Sequence, residues 1–311
     1  MAQRTWARRM KRAPSRFRGF AATNCRFALL DLAFATPSST AIASEDAERR
    51  KWHGTDRAVG GASVPATAWI VRALEELQLP DDPVPVDGLI SVLSPIRIAE
   101  ALRKGSCPPD IAFDLFLPDD LRELSADQWT PLEVALAAAS WLTEFEVRSI
   151  VDVGSGPGKF CIAAALAGTC ELVGLEQNPR FVTVARSLAR LFGVHDRVRF
   201  VQGTLGDAAL PATRAYYLYN PFAQHLFAPS EDLGAGVTPD YERYRRDITT
   251  AQNIFRRAPT GTVVLTYNGF GGLMPASYET CRVDRELPCV LRMWRKTEPW
   301  DDGGFSTADA D

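Results

Sequence analysis

Residues 150–158 read IVDVGSGPG, and this run restricts the fold of the chain more than any other. Its first four residues are rich in β-branched side chains and suit a buried strand, and the glycines that follow turn the chain at once. Residues 159–167 then become rich in Ala and Leu, as a helix packed on a sheet requires, and Gly168 ends the run. Residues 171–175 read as a second strand, with the carboxylate of Glu176 at its carboxyl end. Strand, glycine turn, helix, strand and acid, in that order, predict a parallel βαβ unit.

Such a unit suits a nucleotide. Glycine lacks Cβ, so the backbone can take positive φ and a ligand can come close. Free N–H groups of the following helix lie beneath the turn. An acid at the tip of the second strand can accept hydrogen bonds from both hydroxyls of a ribose, and ligands of open α/β sheets sit at that edge. The competing reading is a tight structural turn with a surface acid. Asp152, three glycines and Glu176 in one register favour the ligand site.

Spacing distinguishes the nucleotides. Gly154, Gly156 and Gly158 alternate as G-x-G-x-G, whereas dinucleotide sites use G-x-G-x-x-G. Asp152 is expected at the ligand edge, where it would repel a pyrophosphate and favour a cationic or amino-bearing ligand. At these residues the sequence resembles the class I S-adenosylmethionine-dependent methyltransferases, whose first motif is apolar-acid-apolar-G-x-G-x-G. VDVGSGPG fits that motif, and GLEQN at residues 174–178 is similar to the family's ribose-binding acid motif.

The resemblance implies S-adenosyl-L-methionine as cofactor and methyl transfer as activity. It implies a Rossmann-like α/β fold, a doubly wound, mostly parallel seven-stranded sheet with a C-terminal antiparallel hairpin. The cofactor contacts it implies are Thr130, Asp152, Gly154, Ser155, Gly156, Gly158, Glu176, Gln177 and Asp207. Family members carry an acid directly after the glycine that follows the third strand, here residues 198–201. This chain has Thr204 there, so either Asp207 serves through a longer loop or backbone and apolar groups hold the adenine. Trp129 and Thr130 resemble the segment that folds over the cofactor in many members. The alternative is a helix cap at Thr130, with Pro131 at the first helical position and Trp129 in the core.

A fourth strand, AYYLY at residues 215–219, leads into Asn220, Pro221 and Phe222, the candidate catalytic residues. An amide oxygen and a backbone carbonyl can accept hydrogens from an amine and aim its lone pair at the methyl carbon, while a ring packs on the group. NPF resembles the D/N-P-P-Y/F of amino-group methyltransferases with one proline missing, and more distantly the asparagine-aromatic exit of the non-SET lysine methyltransferases. The bland alternative is a strand-ending turn with Phe222 as a core plug. His225 follows as a candidate general base or a structural histidine. The acceptor stays open among protein side chain, RNA base and small metabolite, with an amino nitrogen of a protein side chain placed first. A nicotinamide-dependent oxidoreductase and a non-catalytic cofactor-binding protein are the readings from other classes.

The chain has 311 residues, 46% of them hydrophobic, enough for one large α/β core and a smaller appendage. A net charge of −3 argues against a wholly basic nucleic-acid binder. No apolar run reaches about 18 residues, so no membrane span is expected. Six cysteines form no C-x-x-C pair and no metal spacing with the three histidines, and read as reduced thiols of a cytoplasmic protein. Cys281 and Cys289 could face each other across a hairpin. The sequence is silent on oligomeric state.

Four segments are expected. Residues 1–60 form a basic extension, read as a polyanion-binding arm, a transit-like leader or an extension without selected structure. Residues 61–125 form a helical subdomain, with helices at 62–79 and 89–102, that either helps recognise substrate or caps the sheet. Residues 126–298 form the methyltransferase domain. Within it lie a helix at 128–142, a second at 179–192 closed by Gly193, a polar insertion at 228–237 that could be a lid, and a helix at 239–257. Further strands are expected at 261–266, 278–286 and 290–294. Residues 299–311 form an acidic tail.

Overall fold

The computed structural model describes residues 94–226, 240–299 and 304. The expected extension at 1–60, the helix at 62–79, the insertion at 228–237 and most of the tail lie outside them.

Among the described residues the order begins with four helices, α1 (Pro95–Arg103), α2 (Asp110–Asp114), α3 (Asp119–Arg122) and α4 (Ser125–Gln128), and a longer α5 (Leu132–Glu144). Then come β1 (Ser149–Val153), α6 (Lys159–Ala167), β2 (Glu171–Glu176), α7 (Pro179–Leu191), β3 (Val198–Gln202) and β4 (Ala215–Leu218). A 3₁₀ turn (Ala223–His225), α8 (Tyr241–Arg257), β5 (Val263–Tyr267), β6 (Tyr278–Asp284) and β7 (Leu291–Lys296) complete it. The strands form one sheet in the order β3-β2-β1-β4-β5-β7-β6. Every pair from β3 to β5 is parallel, and β7 runs antiparallel between β5 and β6. This is the doubly wound, mostly parallel seven-stranded sheet that the sequence motifs imply.

Alternation along the strands builds two apolar layers. Ile150, Ala215, Tyr217, Val263 and Leu265 face the layer covered by α5, α6 and α7. Val151, Val153, Leu218 and Val264 face the layer closed by Ile248, Ala251 and Phe255 of α8. Ile98, Leu102, Phe113, Leu117 and Leu121, from α1 to α3 and the segments between them, join the first layer. Each of the Val, Leu, Ile and Phe side chains among them contributes about 1.5–3 kcal/mol by leaving water.

Two polar devices fasten this layer. Lys159, at the first position of α6, is fully buried, with Nζ 2.6 Å from Asp110 Oδ1 and 2.8 Å from Asp114 Oδ1. Burial alone would push its ammonium down, but Asp114 and Asp110 outweigh burial and hold it above its ordinary value. Arg197 donates to the carbonyls of Ala165, Gly168 and Cys170, satisfying the open end of α6.

The start of α5 differs from the sequence expectation. Pro131 occupies the cap position and no side chain of its own caps it. Instead Asp110 Oδ1 accepts the N–H of Leu132 at 3.0 Å, and Thr130 shares a 2.9 Å hydrogen bond with the Tyr217 hydroxyl. A carboxylate brought by the fold displaces the local hydroxyl from the capping role. The cysteines of the described residues are all free thiols, with Cys281 exposed and Cys289 buried. No helix among the described residues is long and apolar enough to cross a membrane.

Candidate functional site

The loops that leave β1, β2, β3 and β4 at their carboxyl ends enclose one cavity of about 270 Å³. Gly154 and Gly156 form part of its wall, with Glu176 at the end of β2 and Gln177 after it, Gly203 to Leu205 after β3, and Asn220 to His225 after β4. Trp129, Phe181, Tyr219, Asp127, Gln128 and Asp247 add to its polar and aromatic surface.

All three motif glycines have positive φ, 76°, 54° and 84°. A Cβ on Gly154 would lie 2.9 Å from Pro221 Cβ, and one on Gly156 would lie 2.7 Å from Trp129 Nε1. These two absent side chains let the NPF turn and the indole close around the cavity. Gly158 does not line it. A Cβ there would lie 2.5 Å from Phe200 Cζ, so this glycine lets α6 pack against β3.

Glu176 is buried at the wall. Its Oε2 accepts the N–H of Gly156 at 2.9 Å and its Oε1 accepts that of Asn178 at 2.7 Å. Burial pushes its carboxyl above the ordinary range, and the N–H groups of Asn178, Gly156 and Gln177 pull it back. Each carboxylate oxygen keeps a further lone pair for a ligand hydroxyl. Beside it, Gln177 lines the cavity and its Oε1 accepts from Arg243 Nη2 at 2.8 Å.

Asp152 faces a smaller annex of about 20 Å³, lined also by Thr130, Ser155, Phe160 and Tyr217 and sharing Trp129, Gly154 and Tyr219 with the main cavity. The annex is roughly large enough for one water or one amino group. Burial raises the Asp152 carboxyl to about 7, against the hydrogen bond it accepts from Cys161 Sγ at 3.2 Å. The Ser155 hydroxyl oxygen is buried and has no hydrogen-bond partner among the described residues. A buried polar group in that condition suits a ligand that supplies the missing partner.

Asp207 is exposed, accepts a hydrogen bond from Thr204 Oγ1 at 2.7 Å and stands outside the lining, which Thr204 and Leu205 provide. Asn220 takes the left-handed conformation at φ 41°, and its N–H donates to Gly269 O at 3.2 Å. Such a conformation costs a non-glycine residue energy and is found at sites that need it. It brings Pro221 onto Gly154, while Phe222 is buried and also lines the cavity.

His225 is only 2% exposed and lines the cavity beside Asp247, whose Oδ2 lies 3.2 Å from Nε2. Arg243 stands 3.8 Å from the same carboxylate. The sequence singles out His225, but Asp247 carries no motif and is found only through the fold. Among the described residues, no group of three or more His, Cys, Asp or Glu side chains could hold a metal ion.

The lining fits a cationic nucleoside. Among the described residues it holds three carboxylates, Asp127, Glu176 and Asp247, and no lysine or arginine. A pyrophosphate would meet repulsion there, and a sulfonium or ammonium would meet attraction.

Residues 146–215 match the family model described as a methyltransferase domain, a span that runs from the approach to β1 to the first residue of β4. The ribosomal protein L11 methyltransferase of Deinococcus radiodurans is 34% identical over 92 residues, 29% of this chain and 32% of that protein. The protein of the same name from Citrifermentans bemidjiense is 31% identical over 119 residues, 38% of each chain. The chain thus spans about a third of the length of these curated relatives. Among solved structures, an RNA methyltransferase from Salinibacter ruber in complex with S-adenosyl-L-homocysteine is similar at 22% identity and a TM-score of 0.39. The match covers 57% of this chain and 99% of that one.

Proposed function

We propose that this chain, a member of the class I S-adenosylmethionine-dependent methyltransferase family, transfers the methyl group of S-adenosylmethionine to an amino nitrogen of a protein side chain. The observation that carries this reading is the charge of the cavity wall, three carboxylates with no lysine or arginine among the described residues, set on the G-x-G-x-G turn. That charge also disfavours a nicotinamide dinucleotide, whose pyrophosphate needs donors or cations. The names of the curated relatives support a protein acceptor.

Bound in this cavity, S-adenosylmethionine supplies an electrophilic methyl group on a sulfonium. Gly154 and Gly156 would admit its amino acid part, and Asp152, Ser155 and Thr130 in the annex would take the amino group directly or through one water. Glu176 and Gln177 would hold the ribose hydroxyls, and the segment from Gly203 to Leu205 would meet the adenine. Asn220, Pro221 and Phe222 face the acceptor. Most of the rate then comes from holding the nucleophile in line and excluding water.

The test is calorimetry with S-adenosylhomocysteine and NADH, followed by labelled S-adenosylmethionine with purified ribosomal protein L11 and with fractionated cell extract. Binding of S-adenosylhomocysteine alone and label in a protein fraction are expected. Absence of S-adenosylhomocysteine binding overturns the cofactor reading, and label confined to RNA or small molecules overturns the protein acceptor.

A further inference from the structure

His225 and Asp247 form a pair on the cavity wall that holding the cofactor does not require. Asp247 Oδ2 lies 3.2 Å from Nε2, so the carboxylate fixes the proton on that nitrogen. Nδ1 is then the acceptor, and it is buried with no hydrogen-bond partner among the described residues. An imidazole held by an acid on one nitrogen, with a lone pair on the other, is the arrangement of a general base. It stands three residues after Phe222, on the exit of β4 where the acceptor is placed.

We infer that His225 is a catalytic residue that takes a proton from the incoming acceptor amine, and that Asp247 is its positioning residue. The inference rests on the methyltransferase reading above. In the step, Nδ1 accepts a proton from the acceptor ammonium, which leaves a lone pair on the acceptor nitrogen. That pair forms the bond to the methyl carbon as the carbon–sulfur bond breaks toward sulfur. Neutral S-adenosylhomocysteine, a methylated ammonium and an imidazolium steadied by Asp247 result, and the imidazolium returns its proton to water.

The charged groups around the imidazole set its protonation. Burial and Arg243 lower its pKa, against Asp247 and Asp240 at the start of α8. Asp127 and Glu176 line the same cavity. The balance lies below the ordinary histidine value, so the base is neutral at pH 7.

The test is NMR of the full chain labelled with ¹⁵N at histidine, with H225Q used to assign the signal among the three histidines. With S-adenosylhomocysteine bound, His225 is expected as the Nε2-protonated neutral tautomer at pH 7. With S-adenosylmethionine bound, its midpoint is expected to fall by about one further pH unit, because only that ligand brings a sulfonium charge. Asp247→Asn should lower the midpoint as well, by removing the opposing carboxylate. If both ligands bind and His225 titrates identically with each, or carries its proton on Nδ1, the inference is wrong. If neither ligand binds, the cofactor reading fails and takes this one with it.

Discussion

The carboxylate of Glu176 accepts the backbone N–H of Gly156 at 2.9 Å, so the acid at the end of β2 is built into the glycine turn at the end of β1. Its second oxygen holds the N–H of Asn178 at the start of α7. Ligand wall and loop geometry therefore share one side chain.

Glu176→Ala should act on both. Leaving the buried N–H of Gly156 without an acceptor costs about 1–3 kcal/mol, and the half-buried N–H of Asn178 loses its partner as well. Affinity for S-adenosylhomocysteine should fall more than about tenfold, the loss of one or two charge-assisted hydrogen bonds. Denaturant unfolding and calorimetry on the same preparation check the two effects. A ribose contact with no part in the turn would lower affinity and leave stability unchanged.

Gly158→Ala separates packing from binding. At φ 84°, with Phe200 Cζ 2.5 Å from the new Cβ, the methyl group strains the backbone and overfills the contact between α6 and β3. The expected cost is about 2–4 kcal/mol, read from the urea midpoint. The affinity of the folded fraction for S-adenosylhomocysteine should stay nearly unchanged, because the position does not line the cavity.

Asp152 makes stability depend on pH. Burial raises its carboxyl from 3.8 to about 7, so the folded state holds a proton that the unfolded chain has released between these values. Stability is therefore fully present below pH 3.8 and is lost as pH rises through about 7, on the order of 4 kcal/mol in all. Asp152→Asn should flatten this decline when urea midpoints at pH 5 and pH 8 are compared. Wild-type affinity for S-adenosylhomocysteine should rise over the same interval, since its ammonium prefers the ionised acid.

Lys159→Met should be among the most damaging changes away from the cavity. It strands Asp114 in the core and removes the cation that joins α6 to α2, at a cost of about 3–5 kcal/mol. Adding Asp114→Asn should recover part of the loss in denaturation experiments, because the stranded group is then neutral.

The core of this fold is legible in the chain because its signals are local. The βαβ unit at 150–176 is written in neighbouring residues, an apolar run, a glycine turn and an Ala-rich helix, and the sheet follows it strand by strand. What escapes sequence reading is contact between distant residues. Asp110 gives no sign that it caps α5 and binds Lys159, since both partners are supplied by packing. Thr130 carries the correct side chain for a cap, yet Tyr217 on a central strand takes its hydroxyl instead. In the cavity, Glu176 and the first two glycines are readable from spacing, whereas Asp247 gains meaning only when α8 lays it beside His225.

The N–H of Asn220 ends on the carbonyl of Gly269, and both residues turn through left-handed backbone. The exits of β4 and β5 are thus hinged at one joint, while the grip of Glu176 on the glycine turn lies on the far side of β1. Under the proposed function, replacements in the loop that follows β5 should tilt the NPF corner that would face the acceptor, while the hydrogen bonds of Glu176 to Gly156 and Asn178 stay in place.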